Sequence, residues 1–273
     1  MKSLKKFFLT MAVAMVFSTS AFAASGFEFL LNLSGGLGAT IPNKEVKNLA
    51  PDAKGGISAD AGIDVQLGYM LQVQNRFGIS LLAELGYNFD IYNWGENKGT
   101  ESYSSGVSST PGGSSSTERT AEKGWKYTAY YHSFRVGLLP KFNIGLGGRH
   151  GLAIGIGGGV KIPISGYYDL TSFTSFDANG EAQYTGIDSQ KLKRQEINDM
   201  LTPPVIGYMK VTFDYYLFFT DNIAMNFGFY LGGDFGMKVK DGFGTETGAS
   251  FAKIGNDAFD FGLQLGFRFG PKA

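Results

Sequence analysis

The feature that most constrains this chain is a strict two-residue alternation of apolar and polar side chains. From Ile57 to Gln74 the odd positions are Ile57, Ala59, Ala61, Ile63, Val65, Leu67, Tyr69, Leu71 and Val73, all apolar. The even positions are polar or glycine, with Met70 the exception. A helix would scatter these two sets around its circumference, whereas a strand sends them to opposite faces. The pattern returns within 27–41, 77–91, 134–142, 152–164, 205–219, 223–239 and 259–269. The spacing therefore predicts eight strands, each with one apolar and one wet face.

Two architectures satisfy such strands. In a soluble sandwich or lipocalin-like barrel the apolar face points inward. In a transmembrane barrel it points outward to lipid and the lumen is polar. Three features favour the second. The strands run about 14–18 residues, beyond the soluble mode of about 5–6. The polar faces carry charges in mid-strand beside many glycines, which suits a narrow lumen where small residues make room for long ones. The connections also alternate in length. Short links fall at Asn75-Arg76, 143–150 and Thr220-Asp221-Asn222, and long ones at about 42–56, 92–124, 165–204 and 240–255. Short periplasmic turns with long extracellular loops are the pattern of outer-membrane barrels. The expected fold is all-β, an eight-stranded antiparallel up-and-down transmembrane β-barrel. Closure follows because an open sheet edge in lipid leaves unpaired backbone groups.

Composition removes the competing classes. Mean hydropathy is −0.05, and no run of about 18 apolar residues is present to make a membrane helix. Lys+Arg and Asp+Glu are both 24, so no electrostatic case exists for nucleic acid. The chain has 0 cysteines, which removes disulfides and thiolate chemistry. Residues 1–24 read as a secretory signal peptide. Lys2, Lys5 and Lys6 precede an apolar stretch from Phe7 to Phe17, and Ala21-Phe22-Ala23 supplies the small-residue cleavage pattern. Residues 25–273 are expected to form the barrel in the bacterial outer membrane.

Inward charges are the candidate site. Asp64, Glu84, Arg135, Lys161, Lys210, Asp214 and Asp260 are expected to form a charge network plugging the lumen, because buried ions in a low dielectric need partners. Most lie seven to ten residues from the periplasmic strand end, so they are expected as one belt, with Glu84–Arg135 on neighbouring strands as a pair. Aromatics near the strand ends read as girdles at the headgroups: Tyr87, Trp94, Trp125 and Tyr127 above, Tyr215 and Phe219 below. A sugar-stacking site is the sharper alternative for the upper group. The Ser/Gly-rich stretch 102–116 reads as a flexible surface loop. Asp188 to Leu201 reads as a short helix with Asp188 as its cap. His132 and Ser133 are adjacent on a strand and point to opposite faces, so they cannot pair as base and nucleophile. No catalytic residue, metal or cofactor is expected.

The last strand carries the most specific pattern: Asp260-Phe261-Gly262-Leu263-Gln264-Leu265-Gly266-Phe267, followed by Phe269. With the eight-strand pattern, it resembles small eight-stranded bacterial outer-membrane β-barrel proteins of the OmpA, OmpX, OmpW and opacity-protein type. The resemblance implies that Asp260, Gly262, Leu265, Phe267 and Phe269 form the signal read by the barrel-assembly machinery. It also implies lipid and lipopolysaccharide as surroundings, and a surface ligand met through the loops. Many members stop at the final aromatic, whereas here Gly270-Pro271-Lys272-Ala273 follows. No periplasmic peptidoglycan-binding domain like that of OmpA is expected. The leading functional expectation is a non-enzymatic structural or surface-interaction barrel, in adhesion or host contact. The alternative is a small channel for minor or hydrophobic solutes, and a third reading is a lipid-modifying enzyme.

Overall fold

In the computed structural model, residues 25–106, 116–176, 182–241 and 253–273 are described. The expected signal peptide and the centre of the Ser/Gly-rich stretch lie outside them. The elements are β1 (Gly26–Pro42), α1 (Lys44–Leu49), β2 (Lys54–Gly55), β3 (Ile57–Gln74), β4 (Phe77–Gly106), β5 (Ser116–Gly147) and β6 (His150–Phe176). They continue as β7 (Ala182–Lys193), α2 (Arg194–Met200), β8 (Leu201–Thr202), β9 (Ile206–Phe218), β10 (Ile223–Val239) and β11 (Gly255–Phe269). Among the described residues, no helix is long and apolar enough to cross a membrane.

Eight strands close a ring in the order β1-β3-β4-β5-β6-β9-β10-β11, and β11 returns to β1 through antiparallel pairs from Phe29↔Phe269 to Pro42↔Asn256. The register fixes the geometry. The path Leu31–Val65–Leu85–Val136–Val160–Gly207–Phe235–Asp257 comes back to β1 at Ile41, ten residues above its start. With about 3.3 Å rise and about 4.8 Å between strands, that stagger tilts the strands by about 40°. The short links behave as tight turns: Arg76 (φ 66°) joins β3 to β4, and Gly147 (φ 92°) with Gly148 (φ 58°) joins β5 to β6.

Every ring strand turns its apolar face outward. Leu33, Ile63, Leu85, Val136, Ile156, Phe213, Phe229 and Leu263, one from each strand, are all exposed, Leu263 by 70%. A soluble monomer's largest apolar patch is typically about 300–600 Å². Here the apolar surface runs around the whole girth, which is a surface for acyl chains. Their strand neighbours Asn32, Asp64, Glu84, Arg135, Thr212, Asp214 and Gln264 are buried inside.

Three strands outrun the expectation. β4, β5 and β6 have 30, 32 and 27 residues, so 92–124 and 165–204 are largely strand, with β7 paired to β6. The residues beyond Tyr92 in β4 add about 46 Å of strand at about 3.3 Å per residue. Above the bilayer, cross-strand pairing persists without lipid to impose alternation. The expected helix over 188–201 is shorter, starting at Arg194, and Asp188 belongs to β7 instead of capping it.

Candidate functional site: the occluded lumen

Parity decides which side chains enter the lumen. Even positions point inward on β1, β3, β9 and β11, on β4 up to Glu96 and on β10 up to Asp234, and odd ones on β5 from Trp125 and on the lower part of β6. The seven charged residues picked out in the sequence all face the interior, but they do not form one belt. Equal residue counts from the turns do not give equal heights when the ring is staggered by ten residues, so the charges separate into layers.

The central layer joins four of them. Arg135 Nη2 lies 2.7 Å from Asp64 Oδ1, and its Nε lies 3.0 Å from Glu84 Oε1. Lys210 pairs with the other oxygen of Glu84. Asn32 and Gln66 donate to Asp64 at 3.2 and 3.0 Å, and Tyr208 donates to Glu84 at 2.9 Å. Arg135 also lies 5.8 Å from the Tyr208 ring centroid. Asp64 and Glu84 are each 1% exposed. Below, Asp214 pairs with Lys141 at 2.8 Å, a partner the sequence reading missed. Asn226 and Gln264 also donate to Asp214. Above, Lys161 reaches Asp90 at 2.8 Å and Asp234 at 2.7 Å. Asp260 faces the lumen in this upper layer without an ion pair among the described residues. The missed members, Asp60, Asp90, Lys141, Asp234 and Arg268, share the same inward parity as those found.

Both ends are stoppered. At the periplasmic end, Leu30, Leu82, Leu139, Ala153, Tyr216, Phe218 and Ala224 pack together inside the ring. Arg268 Nε lies 3.0 Å from Glu28 Oε1, and its guanidinium sits 4.6 Å over the Tyr216 ring. Its Nη2 donates to the Pro271 carbonyl at 2.9 Å, and Lys272 donates to the Gly148 carbonyl. The tail thus crosses the mouth. At the outer end, Tyr92, Tyr131, Leu192, Ile197, Leu201, Ile206 and Met237 form an apolar lid. Ile197 brings α2 into it, and Arg194 fastens α2 by donating to the Pro163 and Pro204 carbonyls at 2.9 and 2.7 Å. Tyr92 ties lid to charge layer by donating to Asp234 at 2.6 Å. An internal cavity of about 20 Å³ lies between the central and upper layers, about the room one water needs.

The girdle expectation requires correction. Tyr87 and Phe219 are on the outer surface, and Tyr215 faces outward beside His150. Trp94, Trp125 and Tyr127 turn inward. Trp94 is 8% exposed and packs with Val46 of α1, Ala53, Trp125 and Tyr127. Trp125 donates to Glu96 Oε2 at 3.0 Å. The reason is again parity, since Trp94 shares the face of Asp90 and Tyr92. Burial pushes the Tyr127 phenol well above its usual range. The outer rim is instead built from Tyr87, Phe89, Tyr130, His132 and Tyr167. The Tyr130 and Tyr167 rings stack at 4.1 Å, and Tyr87 Oη lies 2.5 Å from His132 Nδ1. His150 Nδ1 makes the matching contact with Tyr215 Oη at 2.6 Å near the lower rim. Ser133 is buried on the opposite face from His132.

On the last strand, Leu265, Phe267 and Phe269 face outward, while Asp260 and Gly262 face the lumen. Gly262 has a local reason to lack a side chain. A Cβ there would lie 2.4 Å from the Gly35 carbonyl and 2.5 Å from the Tyr230 ring, which crosses above it to reach Asp60.

No protein-family model matches the chain, and no curated protein matches it. Among solved structures it is similar to the outer membrane protease OmpT of Escherichia coli (11% identity, TM-score 0.39, covering 92% of this chain and 99% of that one). It is likewise similar to the outer membrane protein OprG of Pseudomonas aeruginosa (8%, 0.36, 92% and 97%) and to Neisserial surface protein A (8%, 0.34, 90% and 99%). These likenesses are loose, and the hydrogen-bonded ring and its apolar girth stand without them. Closed barrels with lipid-facing side chains and short turns at one end belong to outer membranes. The chain is an eight-stranded outer-membrane β-barrel.

Proposed function

We propose that this barrel does not conduct and acts at the cell surface, in adhesion or host contact. The observation that carries the reading is the pairing of an occluded lumen with a sheet that outruns the bilayer. Salt bridges fill the centre, apolar clusters fill both ends, and the cavity between them has room for about one water. Meanwhile β4, β5, β6 and β7 continue as one antiparallel sheet above the rim. Long strands beyond the membrane are dispensable for anchoring, and a sheet that continues above the rim can offer edge backbone groups to another chain. The reading is non-enzymatic: His132 and His150 each engage a tyrosine on the outer face, away from the buried hydroxyl of Ser133.

Two measurements test it. In planar bilayers the protein gives no reproducible single-channel steps; steps altered by Glu84→Ala or Arg135→Ala would favour the small-channel reading. In an adherence assay, cells carrying the chain without residues 101–120 attach less than cells carrying the full chain at equal surface amount. Unchanged attachment would refute a role for the projecting sheet.

A further inference from the structure

The upper lumen holds more acid than base. Asp60, Asp90, Asp234 and Asp260 point into it from β3, β4, β10 and β11, and Lys161 from β6 is the cation that reaches them. Asp60 and Asp90 are directly opposite in the β3–β4 ladder, where Cβ atoms stand about 4.5–5.5 Å apart. Asp260 faces Gly232, one inward position below Asp234 on the neighbouring strand. Arg135 from β5 and Lys210 from β9 also border this space, but Asp64 and Glu84 already hold them. Tyr92, Tyr131, Tyr208 and Tyr230 face it as neutral phenols, and β1 contributes only Thr40, Ser34 and glycines. Four carboxyls thus share one ammonium.

A second observation points to something missing from this charge balance. Ser58 Oγ, Asn88 Oδ1, Asp90 Oδ2 and Ser133 Oγ are buried without a hydrogen-bond partner among the described residues. Ser58 and Ser133 are 4% and 0% exposed. Register places them around the Asp60–Asp90 pair: Asn88 opposes Ser133, and Ser58 lies one inward position above Asp60. Asn88 Oδ1 and Asp90 Oδ2 are both acceptors that lack a donor. The small cavity on the other side of Asp60 is bordered by Asp60, Asp234 and Asp260, and by none of Ser58, Asn88, Asp90 and Ser133. Water satisfies hydroxyls but leaves three uncompensated charges. A metal ion would sit against the Lys161 ammonium. Adjacent buried carboxylates relieve their repulsion by keeping protons.

We propose that the closed lumen retains protons among Asp60, Asp90 and Asp260 at neutral pH, while Lys161 and Tyr92 hold Asp234, and releases them when the barrel unfolds and water enters. Folding is then proton-coupled. The inference rests on the occluded lumen of the proposed function, which conductance tests separately. The sign follows from linkage. The folded state binds more protons than the unfolded state, so raising the pH weakens it.

The test uses the full mature chain folded into detergent micelles, with urea unfolding followed between about pH 6 and about pH 9. The unfolding constant of the wild type rises about 10- to 100-fold per pH unit, for one to two retained protons. Asp260→Asn removes an acid at nearly equal volume and lowers that rise by about tenfold per unit. Infrared spectra of the wild type at neutral pH show the carbonyl band of protonated carboxyls, reduced in Asp260→Asn and in Asp60→Asn. A flat wild-type profile, or absence of the band, overturns the proposal. Stabilisation by added sodium or calcium that Asp260→Asn abolishes also overturns it, by assigning the compensation to a metal ion. Should the asparagine variants fail to fold, the wild-type band decides alone.

Discussion

Replacing Arg135 by methionine keeps a long stem in the lumen but removes the cation that Asp64 and Glu84 share. Glu84 retains Lys210 and the Tyr208 hydroxyl, so the loss falls on Asp64, which keeps only amide donors from Asn32 and Gln66. Removing one partner of a buried ion pair costs about 3–5 kcal/mol, so Arg135→Met is expected to lose about 4 kcal/mol. Asp64→Asn added to it removes the stranded charge and restores about half of that loss, a coupling readable from a double-mutant cycle. Urea unfolding in micelles, followed by Trp94 and Trp125 fluorescence, measures both. A loss under about 1 kcal/mol in the single variant, or no recovery in the double, would refute the reasoning that the lumen is dry and its ions mutually dependent.

Other outcomes follow from the same geometry. Leu263→Arg costs about 2–4 kcal/mol in lipid or micelles, although Leu263 is 70% exposed; in a soluble protein such a change costs about nothing, and equilibrium unfolding tells the two apart. Gly262→Ala drives a methyl toward the Gly35 carbonyl and the Tyr230 ring. It loses about 1–3 kcal/mol, and Tyr230→Ala in the same chain recovers part of that if ring crowding is the cause. Protease added to intact cells cuts within 102–119 and spares Asn75; the reverse pattern would invert the topology.

The sequence disclosed faces more reliably than heights or lengths. Parity alone sends Asp64, Glu84, Arg135 and Lys161 inward and Leu33, Phe213 and Leu263 outward, because a strand has only two sides. It does not disclose that Asp214 meets Lys141 rather than a member of the expected set. Partners across a barrel depend on the stagger, and that is a sum over eight ladders. Trp94, Trp125 and Tyr127 were legible as inward by the same parity that placed Asp90, but nearness to a strand end outweighed it. The extensions of β4, β5 and β6 were not legible. Above the lipid no apolar face is demanded, and Ser, Gly and Thr carry strand pairing without a period.

The central claim is that the outward side chains touch acyl chains. The sequence has 0 cysteines, so single-cysteine variants can be spin-labelled without background. Labels at Leu33→Cys, Phe213→Cys and Leu263→Cys in lipid vesicles should relax strongly with oxygen, which concentrates in hydrocarbon. They should be nearly blind to a water-soluble nickel chelate that reaches Lys253→Cys at the rim. Nickel relaxation at the three strand sites equal to that at Lys253 would place them in water and contradict the account.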